Sequence, residues 1–362
     1  MNPRSLLALG SSAFLVVAAA VYVSKRTSPE RSTPPDQPVL TSLADSLDSV
    51  SEVRISRGDG TATTLQRRDN GWLVVQRNYP ADHGKLRSLL INLSGLRTIE
   101  TKTSDPARYA TLGLEDATGA QSHSVRIEIV AGARTWSLLL GKEAEPSGSY
   151  VRLSGAAAAL SVRPRLEADP QPSHWIAPEL LDVAADRVQH VAVHPAGAPS
   201  YWLARAARGA PDLTLHGVPP GRKPASPAMV DGIAGVLARL NATDVKERAT
   251  APPDHPSQAS FRTFEGLQLD LDGYRDGGAA WIRIHASEDP ETARRFGVSE
   301  AKTPVAPSPD AAAQAAAINA RAQAFDFQIP DYQFNQIFRP VTELLAPLPQ
   351  RSSTPGTKKA PG

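Results

Sequence analysis

Two stretches decide the fold when one is laid over the other: YPADHGKLRSLLINLSGLRTIETK, Tyr79–Lys102, and KPASPAMVDGIAGVLARLNATDVK, Lys223–Lys246. A shift of 144 residues (223 − 79) aligns them without a gap. It brings Pro80-Ala81 onto Pro224-Ala225, Asp82 onto Ser226, Leu86 onto Val230, Leu89 onto Ile233, Leu93 onto Leu237 and Leu96 onto Leu240. Leu86, Leu89, Leu90, Leu93 and Leu96 recur at the spacing that places them on one face of an amphipathic helix. Asp82 stands at the N-cap position, where its carboxylate accepts an orphan N–H of the first turn. In the second copy Ser226 takes that position, with Pro227 at the first helical residue. Two different capping residues at equivalent positions suit capping and not general acid–base chemistry. Asp82-His83-Gly84-Lys85 therefore reads as a helix start rather than an active site. Gly84-Lys85 also lacks the earlier Gly and the following Ser/Thr of a phosphate-binding loop.

Working outward, short strands joined by turn signals surround each helix. VRISRGDGTATTLQRRDNGWLVV predicts three strands, with two-residue turns at Asp59-Gly60 and Asn70-Gly71. SVRIEIVAGARTWSLLLG predicts a hairpin, followed by YVRLSG and LSVRP. VQHVAVHP, SYWLARA, LTLHG, LQLDLDGY and AWIRIHA follow in the second half, and Trp136 pairs with Trp281 at a spacing of 145 (281 − 136). The expected fold class is α+β: two tandem related units, each an antiparallel sheet with one central amphipathic helix. The first unit is expected at 46–183 and the second at 184–348. The second carries an Ala-rich helical insertion, with helices in DPETARRFG and PDAAAQAAAINARAQA before the chain returns to FDFQIPDYQFNQIF.

Length agrees with two domains, since 362 residues exceed the ~250–300 at which one core stops growing. Hydrophobic residues at 41% and charged residues at 21% describe a globular chain. With 39 Lys+Arg against 37 Asp+Glu, no nucleic-acid footprint is present. The absence of cysteine excludes disulfides, a lipid-modified cysteine anchor and thiolate sites.

LLALGSSAFLVVAAAVYV, Leu6–Val23, carries no charge. As a helix at 1.5 Å per residue it just crosses a ~30 Å hydrocarbon core. A cleaved signal peptide would end at Ala18-Ala19-Ala20. The uncleaved anchor is favoured because the apolar run continues through Val21-Tyr22-Val23 and a Pro-rich tether follows. The expected organisation is an anchor at 1–26, a tether at 27–45 and a basic tail at 349–362. Flanking Lys25, Arg26 and Arg31 outnumber Arg4, but long domains are translocated largely regardless of such charges, so the body is placed outside the cytoplasm.

No spacing signals chemistry. His190 and His194 share a strand face but stand ~13 Å apart, too far for one zinc. His83, His174 and His255 fall in loops; His123, His216 and His285 fall in or beside strands. Nucleophile-elbow and penicillin-binding signatures are missing, and the dinucleotide fingerprint is incomplete at GDGTAT. Glu115-Asp116 falls in a turn and Asp270/Asp272 on one strand face. No catalytic, cofactor-binding or metal-binding residue is assigned, and no cofactor is expected.

The order NGWLV, YPAD opening a Leu-rich helix, YATLGLED, WSLLLGKE, YVRLSG and HWIAPELLDV resembles the bacterial envelope family catalogued as domain of unknown function 4340, over roughly 50–345. The resemblance implies a single-pass inner-membrane protein with a periplasmic body, associated with ABC transporters of the gliding-motility type. It implies no catalytic residue at Trp72, Pro80, Gly113 or Gly141. The leading expectation is a noncatalytic membrane-tethered binding or scaffold protein, with an envelope protein partner and no nucleic acid. The alternative is an extracytoplasmic hydrolase acting on glycan or peptide at the junction of the units. A glycan-binding module would instead expose aromatics such as Trp175 or Trp202 on one face.

Overall fold

The structure is a computed structural model that describes residues 36–296 and 310–347. The expected membrane helix at Leu6–Val23, the first part of the tether and the basic tail lie outside the described residues. Among the described residues no helix is long and apolar enough to cross a membrane. The chain divides into two compact units, Met1–Trp175 and Ile176–Gly362.

The first unit contains strands β1 (Val50–Arg57), β2 (Ala62–Arg68), β3 (Gly71–Val74), β4 (Tyr79–Pro80), β5 (Arg97–Thr103), β6 (Val125–Ala131), β7 (Arg134–Ala144), β8 (Gly148–Leu153) and β9 (Ala159–Arg163). They form one antiparallel sheet in the order β4-β3-β2-β1-β6-β7-β8-β9-β5. Helix α1 (His83–Ser94) begins where the capping argument places it, with Asp82 Oδ1 accepting from Lys85 N at 2.9 Å. Leu86, Leu89, Leu90 and Leu93 are buried, as are Val53, Ile55, Leu65, Ile127 and Ile129 on the strands. The last ten residues of the expected tether belong to this unit, because Val39, Leu40 and Leu43 are buried and Val39 N donates to Leu96 O at 3.0 Å.

Two turns differ from expectation. Arg68 pairs with Gly71, so the loop is Asp69-Asn70 and Gly71 already starts β3. A two-residue type I′ turn needs positive φ at both central residues, and neither Asp69 nor Asn70 has it. The loop at Asp59-Gly60 is longer than two residues: Arg57 N donates to Thr61 O, and Asp59 Oδ1 accepts from Thr61 N at 2.8 Å.

The second unit contains β10 (Glu179–Leu181), β11 (Val188–His194), β12 (Tyr201–Ala204), β13 (Thr214–His216), β14 (Leu240–Asn241), β15 (Asp244–Glu247), β16 (Ser257–Thr263), β17 (Leu267–Asp276), β18 (Ala279–Glu288) and β19 (Phe325–Ile329). Its main sheet runs β13-β12-β11-β16-β17-β18-β19-β15. A helix of Pro227–Gly235, extended by a 3-10 turn at Val236–Arg239, is capped by Ser226, whose Oγ accepts from Met229 N at 3.3 Å. The helices expected in the insertion occur at Pro290–Phe296 and Ala311–Ala322, and a further helix follows at Asp331–Ile337. The Ala311–Ala322 helix closes the edge of β18: Asn319 Oδ1 accepts from Ala286 N at 2.9 Å and its Nδ2 donates to Ala286 O at 2.7 Å. The unit begins eight residues before the sequence-based boundary at 184, because β10 pairs with β14 beyond the helix.

From β1 and from β11 onward, the two sheets list their strands in the same order, with a central helix inserted at the same point. The Trp136–Trp281 pairing does not follow that order. Trp136 lies on β7 and Trp281 on β18, which stands where β8 stands in the first sheet. The segment before β6 runs from 104 to 124 and that before β16 only from 248 to 256, so these strands start 132 residues apart (257 − 125). The 144-residue register therefore ends after the helix.

Candidate functional site

The first sheet's outer face is partly covered by its long segment before β6. Tyr109 and Leu114 are buried there with Leu139 of β7 and Ala159 of β9. Arg152 donates to Leu114 O and Asp116 while its guanidinium lies 4.4 Å from the Tyr109 ring centroid. Gly113 takes positive φ (68°) at the end of a short helix at Tyr109–Leu112. Gly141 leaves room for the Leu112 carbonyl, against which any Cβ would collide. YATLGLED and the glycine of WSLLLGKE are thus packing devices.

The other family-like stretches act in the same way. Trp72 O accepts from Ala81 N at 2.8 Å, and Trp175 O accepts from Asp82 N at 2.8 Å. Trp175 is 0% exposed, with Nε1 donating to Asp169 O at 2.7 Å and the Lys85 ammonium 4.7 Å above its ring. Of the two aromatics that a glycan-binding module would have displayed, Trp175 is therefore buried. His174 Nδ1 lies 2.7 Å from Asp169 Oδ2, beside this cluster.

The second unit has only a short segment before β16, and its sheet presents a polar outer face. Burial alternates along β16 and β17, so Phe261, Leu269 and Leu271 point inward while Ser260, Arg262, Gln268, Asp270 and Asp272 point outward. The cross-strand register places His216, Trp202, Ala192, Ser260, Asp270 and His285 in one row on that face. A neighbouring row holds His190, Arg262, Gln268 and Ser287.

The aromatic end of this face is ordered by stacking. Trp202 lies against His216, with centroids 3.6 Å apart and planes 8° apart, and against His190 at 5.7 Å and 24°. It remains 40% exposed, an unusual position for a tryptophan. Ala192, directly opposite Trp202 and flanked on its own strand by His190 and His194, leaves a gap in this relief. A hollow of about 270 Å³ lies there, lined by His190, Ala192, His194, Ser200, Tyr201 and Trp202. His194 Nδ1 is 2.8 Å from Ser200 Oγ. A second hollow of about 470 Å³ shares His190 and Trp202 and reaches Arg262 and Asp289. Arg262 Nε donates to Gln268 Oε1 at 3.1 Å and lies 3.6 Å from Asp289 Oδ2. Burial pushes His190 below the usual imidazole range, and the charge of Arg262 and the proximity of His216 push it the same way. Its ring is accordingly a neutral aromatic surface at pH 7.

The far end of the same face is closed by an ion network. Asp326, 0% exposed, accepts from Arg283 Nε and Nη2 at 2.9 and 3.1 Å and from the Tyr274 hydroxyl at 2.6 Å. Arg248 Nε stands 3.4 Å away. Burial, reinforced by the hydrogen bond to Asp326, pushes the Tyr274 phenol well above its ordinary range. These groups hold the last strands together. Among the described residues no group of three or more His, Asp or Glu side chains could hold a metal ion.

A family model described as Domain of unknown function (DUF4340) matches residues 72–259. The chain belongs to the DUF4340 family. The DUF4340 match spans β3 to β16, so it contains Trp202, His190 and His216 but not Asp289. No curated protein and no solved structure matches the chain.

Of the histidines and carboxylates noted in the sequence, His190, His194 and His216 meet around Trp202, with Asp270 and His285 in the same row, while the others are dispersed. His123 N donates to Glu115 Oε1 at 2.8 Å in the first unit, and Asp270 and Asp272 accept from Gln268 and Gln258 in the second. Three histidine-and-tryptophan positions from three strands make the aromatic stack, and no contiguous motif announces them. The available signal is the alternation His190-x-Ala192-x-His194 beside Trp202-x-Ala204.

Proposed function

We propose that this DUF4340 chain is a noncatalytic binding or scaffold protein, tethered to the inner membrane by Leu6–Val23 with its body in the periplasm, and an accessory of an ABC-transporter-type complex. The carrying observation is the outer face of the second sheet, which exposes Trp202 among paired, neutral or hydrogen-bonded polar groups. Such a surface offers contact area and a rim of donors and acceptors, the composition of a recognition site.

The two units are read as copies of one duplicated unit. Supporting this, Thr98 N donates to Gln37 O at 2.9 Å, and Ala242 N, 144 positions later (242 − 98), donates to Pro178 O at 2.7 Å. The same strand order and the two capped helices agree with it.

The test is affinity capture of the tagged full-length protein from membranes. Recovery of integral membrane proteins of a transporter complex is expected; capture of none, or release of the bait by alkaline extraction, overturns the tethered-scaffold reading.

A further inference from the structure

We infer that the two hollows flanking Trp202 form a saccharide-binding groove, in which one sugar ring sits over Ala192 against the indole and the next lies toward Arg262 and Asp289. The inference rests on the binding-protein reading above and names the ligand class of that face. A pyranose has an apolar C–H surface and a rim of hydroxyls that both donate and accept. It therefore needs an aromatic wall with mixed donors and acceptors around it. The hollow over Ala192 has that composition: the Trp202 ring, the His190 and His194 imidazoles and the Ser200 hydroxyl. At about 270 Å³ it lies just under the ~300–1,000 Å³ of drug-sized sites, the scale of a single ring. The adjoining hollow of about 470 Å³ shares Trp202 and His190, so a chain of rings passes from one to the other without leaving the aromatic strip.

Charge selects against two other occupants. The larger hollow sets Arg205, Arg262 and Arg295 against Asp289 and Glu291; Arg262 lies 3.6 Å from Asp289 and Arg205 3.9 Å from Asp231, so the groove carries no run of unpaired cations of the kind that holds a nucleic acid or polyphosphate. Its walls interleave His190, His194, Ser200, Arg205, Arg262 and Arg295 with the Trp202 and Phe296 rings, a mixed lining rather than the continuous apolar stripe that receives an amphipathic helix.

The experiment titrates full-length protein, in a detergent without a sugar headgroup, with cellotetraose, chitotetraose and tetragalacturonate while following tryptophan fluorescence and calorimetric heat. Saturable binding of at least one is expected. It should weaken about tenfold in Trp202→Ala, less in Trp202→Phe, and be lost in Ala192→Leu, which fills the hollow while keeping the indole. Melting temperatures of the variants separate lost binding from lost folding. Binding of none of the three, or equal binding by Ala192→Leu and the parent, overturns the groove. If protein capture from membranes persists while no saccharide binds, the sugar assignment fails and the scaffold reading stands; loss of both fails both.

Discussion

Leu93→Ala removes three carbons from a side chain that is 0% exposed on the inner face of α1. Transfer of those carbons accounts for about 2.4 kcal/mol at ~0.8 kcal/mol each, and the cavity left behind brings the expected loss to about 2–5 kcal/mol. Asp82→Ala, at the start of the same helix, removes one capping hydrogen bond of 2.9 Å and should cost about 0.5–2 kcal/mol. For a unit of this size 1 kcal/mol moves the melting temperature by roughly 2–4 °C, so the leucine variant should melt about 4–20 °C lower and the cap variant about 1–8 °C lower. Trp72, Trp136 and Trp175 all lie in the first unit, so urea and thermal unfolding followed by tryptophan fluorescence reads it directly. Leu237→Ala, also 0% exposed, should behave like Leu93→Ala in the second unit, reported by Trp202 and Trp281. A loss below 1 kcal/mol for Leu93→Ala would refute the assignment of that face to the core. Loss of partner capture by a fully stable Asp82→Ala would refute the capping role.

Asp326→Ala leaves Arg283 facing an empty buried site and should cost about 3–5 kcal/mol in urea unfolding. Arg275→Ala, which removes the exposed Arg275–Asp331 pair at 2.8 Å, should cost no more than ~1 kcal/mol. Similar losses for both would mean that Asp326 is not buried as described. The Glu265 side chain, 5% exposed, is pushed up by burial but held net below the usual carboxylate range by Arg208 and Arg187. Its contribution is therefore fully present above the unfolded carboxylate value near 4.5 and is lost as pH falls through the lower folded value. Stability measured from pH 6 to pH 3 should fall less steeply in Glu265→Gln; an unchanged slope would sink that assignment. Protein recovered from cells should keep its N-terminus and resist alkaline extraction, and a mature terminus near Val21 would show cleavage instead.

What the sequence determined by itself was local. The 3.6-residue leucine spacing, the caps Asp82 and Ser226 and the β-branched alternation of β6 are written in consecutive residues, because hydrogen bonding within a turn and burial of one face act over a few positions. Trp175 could not be placed the same way: its ring packs under Lys85 and its carbonyl accepts from Asp82 N, contacts that reach across 90 (175 − 85) and 93 (175 − 82) residues. The turn at Asp69-Asn70 slipped by one residue because strand register, not the Asn-Gly pair, set it. Only the tertiary structure brought His190, Trp202 and His216 into one stack. Their contact depends on which residues of three strands stand opposite each other, and that register is fixed by core burial along the whole sheet. It also decided which outer face stays open among the described residues, since 104–124 is long enough to fold back over its sheet and 248–256 is not.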